Sequence, residues 1–93
     1  MYLHLGEGVM LPEKQIIGIF DLDKAADSKR TRDYLKRAED AGIVINVCDD
    51  IPRSFVVADH PYHPQIVYIS QLSSQTLQRR SEGTQDKEGK RHE

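Results

Sequence analysis

Ninety-three residues are enough for one domain with a small core and leave little room for a deep enzyme cleft. Thirteen basic side chains against fifteen acidic ones exclude a polycation that coats nucleic acid by bulk charge, so any nucleic-acid site must be a local basic patch. A single cysteine, Cys48, excludes an intrachain disulfide framework, and no apolar run approaches the roughly 18 residues of a membrane span.

Tyr2 to Leu5 alternates as a first strand, with Leu3 and Leu5 on one face, and lacks the charged start and apolar centre of a signal peptide. A cytoplasmic location follows as the expectation. Gly6-Glu7-Gly8 is a turn signal, and Val9 to Leu11 a second short strand, so the two predict a hairpin. Pro12 supplies no donor and suits a strand end. Gln15-Ile16-Ile17-Gly18-Ile19-Phe20-Asp21 is the most apolar run, and it reads as a central strand buried on both faces. Gly18 marks a place where a backbone or bulky side chain comes close.

From Asp27 the period becomes helical, with Thr31, Tyr34, Leu35, Ala38 and Ala41 on one stripe. Asp27 or Ser28 can cap its start, and Gly42 stands where a left-handed residue ends a helix. Lys29, Arg30, Arg32, Lys36 and Arg37 share the outer face with Asp33, Glu39 and Asp40, and Asp33 with Arg37 makes a favourable pair. That face reads first as solvated surface and second as a basic face.

Ile43 to Val47 is the next strand, and its separation from the central strand by a helix predicts a parallel pair. Cys48 continues this pattern as an inert core thiol. Asp49 to Arg53 is a loop, after which Ser54 to Ala58 returns as a hairpin partner. A stiff loop with two prolines, Asp59 to Pro64, leads to the last strand, Gln65 to Ser70. Ser73 and Ser74 can cap a short helix from Gln75 to about Arg80, anchored by Leu72 and Leu77. From Ser81 to Glu93 there is no aliphatic residue, Phe, Tyr or Trp, so this tail is expected to be disordered.

Chemistry is scarce along this chain. His60 and His63 invite a metal, yet a proline-rich hairpin loop explains them, and no metal site or cofactor is expected. Asp21 and Asp23 end a strand, where helix capping accounts for them without catalysis. No nucleophile–base set and no glycine-rich phosphate loop accompanies them. The expectation is that the protein is not an enzyme.

Four segments in order carry a resemblance: Tyr2-Leu3-His4-Leu5-Gly6, Ile16-Ile17-Gly18-Ile19-Phe20-Asp21, Pro52-Arg53-Ser54-Phe55-Val56-Val57, and Tyr68 through Leu77. Together they resemble the Rem family of bacterial extracellular-matrix (biofilm) regulators, the RemB branch more closely than RemA, over about residues 1–80. The resemblance implies a cytosolic activator of matrix genes that binds DNA as a ring of identical subunits. It also implies basic contacts at the start of the central strand and in the loop before Ser54. The implied arginine positions fall on Gln15, Asp50 and Ile51, none of which is basic. Lys14, beside Gln15, and Arg53 are the cations that remain there, with Arg79 and Arg80 or the helix face of Lys29, Arg30 and Arg32 as substitutes.

The expectation is a small single α/β (α+β) domain over 1–80, with a mixed sheet of five to six short strands. One main helix, a short C-terminal helix and a tail over 81–93 complete it. Its function is transcriptional regulation of matrix genes through duplex DNA, as a homo-oligomer with Leu11, Ile51 and Phe55 as interface candidates. The alternative is a ring-forming module that acts through protein partners. The sign of the rim charge divides them, because DNA needs a contiguous basic surface.

Overall fold

The computed structural model describes residues 1–47 and 49–81. The expectations for Cys48 and for the tail beyond Ser81 lie outside these residues. The fold is α+β. Strands β1 (Tyr2–Gly6) and β2 (Val9–Pro12) form an antiparallel hairpin, Leu3 facing Leu11 across it. A 3-10 turn (Glu13–Gln15) leads into β3 (Ile16–Asp21), then α1 (Leu22–Ala25) and α2 (Lys29–Asp40). Strands β4 (Val44–Asn46), β5 (Ser54–Ala58) and β6 (Ile66–Ser70) follow, and residues 74–81 are helical, here α3. Ser81, assigned to the tail from composition, is therefore helical.

The six strands make two sheets rather than one: the hairpin, and a four-stranded mixed sheet ordered β3-β5-β6-β4. Three expectations change with that order. The Ile16–Asp21 strand is an edge strand, with Ile17 and Phe20 53% and 44% exposed, while every residue of β5 is buried. A strand with one neighbour leaves its other edge open, and β3 has only β5. Next, β3 and β4 point the same way but do not pair, because β5 and β6 lie between them. Last, β4 and β5 form no hairpin. The 49–53 segment steps across β6, and the hairpin is β5 with β6 through the proline loop.

Alternation along β5 builds the core on both faces of this sheet. Val56 and Ala58 face the β1–β2 hairpin and Leu77 of α3, in a cluster with Leu3, Leu5, Leu11 and Val47. Phe55 and Val57 face α2, packing with Ala38, Val67, Tyr34 and Leu35. Leu11 and Phe55 are thus core residues, 6% and 2% exposed, and cannot be interface residues; Ile51 is 77% exposed. Helix α2 starts as expected: the Ser28 Oγ accepts from the Thr31 amide at 3.3 Å. It ends before Gly42, whose φ of +74° suits a residue without a Cβ. Ala41, on the expected apolar stripe, is exposed because the helix has already ended at Asp40. The ion pair on its outer face joins Lys29 to Asp33 at 3.0 Å, one turn earlier than the expected Asp33 and Arg37.

Candidate nucleic-acid interface

Arg53 is the sequence-predicted cation with the most defined seat. Its amide donates to the Ser70 carbonyl at 2.9 Å, and its carbonyl accepts from the Leu22 amide at 3.0 Å. These bonds pin its backbone between the end of β6 and the exit of β3, while its side chain is exposed. Pro52 in front of it restricts the approach of the chain. Beside it opens a groove of about 670 Å³, walled by the end of β3, α1 and the start of α3. Polar and charged groups dominate the lining: Arg53, Lys24, Asp21, Thr31, Ser73, Ser74, Gln75 and Gln78. Asp21 is engaged there, its carboxylate accepting from the Lys24 amide at 3.1 Å as the cap of α1. Two cations against one capped carboxylate leave the groove locally positive.

The other candidates lie elsewhere. Lys14 is exposed in the 3-10 turn before β3, next to Gln15, whose carbonyl accepts from the Asp59 amide at 2.8 Å. Lys14 and Arg53 therefore stand at opposite ends of the β3–β5 pair, and one subunit does not bring them together. Arg79 and Arg80 are exposed on α3, where an Arg80 guanidinium nitrogen donates to the His4 carbonyl at 3.4 Å. On α2, Lys29 is paired with Asp33, Arg32 donates to the Ala26 carbonyl, and Arg30 is exposed. Sequence reasoning missed Lys24. Its only signal is the spacing from Asp21, a cap three residues ahead, which required recognising α1.

The rim is mixed in sign. At the same end of the main sheet, past β4, Glu7, Asp49 and Asp50 line a second groove of about 500 Å³ with Asn46 and Gln71. No ion pair joins Arg53 to Asp49 or Asp50 among the described residues. Asp50 instead accepts from the Ile51 amide at 2.8 Å. Around His60 and His63 the rings contact one another and Tyr62, and no group of three or more potential ligands gathers among the described residues.

Residues 2–80 match the model of the RemA-like family, described as extracellular matrix regulatory protein A-like. The chain belongs to this family. It is also 35% identical over 82 residues to extracellular matrix regulatory protein B of Bacillus subtilis (strain 168), covering 88% of this chain and 91% of that protein. Within this RemA-like chain, the two buried serines, Ser54 and Ser70, have structural work. The Ser54 hydroxyl donates to the Leu72 carbonyl, and the Ser70 hydroxyl to the Leu5 carbonyl, each at 2.7 Å. They fix α3 and the hairpin to the main sheet, and so fix the walls of the Arg53 groove. No helix among the described residues is long and apolar enough to cross a membrane.

Proposed function

We propose that this RemA-like chain regulates extracellular-matrix genes in the cytoplasm by binding duplex DNA as a ring-like homo-oligomer, with no catalytic step. Arg53 is the principal phosphate contact. The observation that carries the reading is the exposed Arg53 side chain on a backbone held at both flanks, over a positive groove. A guanidinium so mounted offers a charge-assisted fork to a phosphate from a fixed point on the backbone. One such patch is weak, and repetition around an assembly adds avidity without new contacts. Lys14, at the far end of β3, serves only a duplex that runs along the strand.

A second reading, a module acting through protein partners, draws on the acidic groove of Glu7, Asp49 and Asp50, which repels a phosphate backbone. Fluorescence-polarisation titration of labelled duplex at low and moderate salt separates the two. The DNA reading expects salt-dependent affinity, and for Arg53→Ala weaker binding on all duplexes with a salt slope lower by about 0.9 per subunit engaged. An assembled protein with no salt-dependent affinity for duplex supports the partner reading instead. Unchanged affinity in Arg53→Ala moves the site to the α2 face or to Arg79 and Arg80.

A further inference from the structure

We infer that copies of this chain associate by laying the β4 edge of one subunit along the β3 edge of the next. This rests on the self-association reading above and assigns the surfaces that perform it. Strands β3 and β6 are both antiparallel to β5, and β4 is parallel to β6, so the two outer strands of the main sheet run in one direction. A neighbour in the same orientation therefore continues the sheet with β4 parallel to its β3, a head-to-tail contact using two different surfaces. Exposed strand edges are templates for such pairing unless something blunts them.

The side chains on the two edges are complementary. The register runs Asn46, Ile69, Phe55, Phe20 in one row across the sheet, on the face that carries α2. Phe20 lies over Gly18, stacks on Phe55 with ring centroids 4.9 Å apart, and leaves 44% of its surface exposed. At the β4 end of that face, α2 overhangs a groove of about 360 Å³ with Leu35, Val44 and Ile69 as its apolar lining. Extending the rows by one strand sets the next subunit's Phe20 opposite Asn46, and its Gly18, which the Phe20 ring covers, opposite Val44 of this groove. On the opposite face, the row Ile45, Tyr68, Val56, Ile19 sets Ile45, 43% exposed, against the next subunit's part-buried Ile19.

Charge selects a second copy as the occupant. Lys14 precedes β3 and Lys24 follows it, both exposed. Glu39 and Asp40 precede β4, and Asp49 and Asp50 follow it, all exposed. The direction of the strands brings Lys14 to Glu39 and Asp40, and Lys24 to Asp49 and Asp50. Asp23, exposed beside Lys24, and Glu13, part-buried beside Lys14, run against this pattern on the β3 side, as do Lys36 and Arg37 ahead of Glu39 on the β4 side; Asp21 is engaged as a cap. An antiparallel β4–β4 contact would set Glu39 and Asp40 against Asp49 and Asp50, so two β4 edges repel one another and favour the other edge. Arg53 is left to the rim.

Light scattering coupled to size exclusion tests this on the full chain, with circular dichroism to verify folding. Wild-type protein is expected to run as an assembly, and Phe20→Lys on the β3 side and Ile45→Lys on the β4 side each as a monomer of 10.6 kDa. If Phe20→Lys does not fold, the exposed Lys14→Glu takes its place, and Asp40→Lys in the same chain is expected to restore the assembly. Mixing a β3-side variant with a β4-side variant leaves one intact interface per pair, so a dimer of twice the chain mass is expected. Variants that keep the wild-type mass overturn the edge contact and leave self-association standing. A mixture that stays monomeric overturns the head-to-tail arrangement. A monomeric wild type overturns self-association itself.

Discussion

Ser54 and Ser70 are fully buried polar side chains in a core this small, and each is satisfied by groups from another element. Ser70 works twice, donating to the Leu5 carbonyl and accepting from the Leu72 amide at 3.0 Å. Ser70→Ala leaves the buried Leu5 carbonyl without its donor and the part-buried Leu72 amide without its acceptor, and is expected to cost about 1–3 kcal/mol in a urea titration. Tyr34 offers a separate test through pH. Its hydroxyl donates to the Gln65 side-chain carbonyl at 2.7 Å, and burial pushes its pKa above the ordinary 10.0. Below pH 10 both folded and unfolded states hold the proton, and the full stabilisation is present. As pH rises further the unfolded state releases its proton first, so stability falls until folded Tyr34 ionises as well. Tyr34→Phe is expected to lose about 1 kcal/mol at neutral pH with the hydrogen bond, and to decline less steeply than wild type above pH 10. Parallel alkaline decline in the two proteins, followed by thermal melts, would refute that role for Tyr34.

Strand β3 and helix α2 differ in how far their own residues determine them. Ser28, the apolar stripe and Gly42 are local signals, and they set α2 correctly at both ends because caps and period act within a few residues. Whether β3 lies in the middle of a sheet depends on β5 and β6, more than 30 residues away, and a β-branched run carries no mark of which neighbours it will receive. Its one special residue was legible. A Cβ on Gly18 would lie 2.7 Å from the ring of Phe20, so the glycine exists to let that ring fold back along its own strand. Gly18→Ala is expected to displace Phe20 from Phe55, costing about 1 kcal/mol, the low end for a crowded packing site, since the ring is half-exposed and can move. In a Phe20→Ala background the same substitution should cost much less, and a double-mutant cycle measures the difference. Additive losses would mean that Gly18 is required for the bulge between Ile16 and Gly18 rather than for the ring.

Across the whole molecule, the ends of the two edge strands differ in charge: Lys24 and Arg53 gather where β3 ends, beside the capping Asp21 and the exposed Asp23, while Glu7, Asp49 and Asp50 gather where β4 ends. Arg53 stood out as a candidate in the sequence because the residues around it carry the family resemblance. Lys24 was not, because its approach to Arg53 depends on α1 turning the chain back over the start of β5. Nor could the sequence tell that Lys14 and Arg53 stand at opposite ends of one strand pair, which follows from β3 and β5 being antiparallel. The described fold is closed without the last twelve residues, because Leu77 is fully buried and α3 already holds Leu77 against the hairpin. Residues 82–93 contribute no aliphatic side chain, Phe, Tyr or Trp, so removing them withdraws little apolar area from the core. A chain ending at Ser81 is expected to unfold within about 2 °C of the full chain and to assemble with the same number of subunits. In a domain of this size about 1 kcal/mol shifts the midpoint by roughly 4–8 °C, so a loss of that size would show that the segment packs on the domain. A changed subunit number at an unchanged midpoint would put residues 82–93 at the subunit contact, and the edges of β3 and β4 would then not be its sole source.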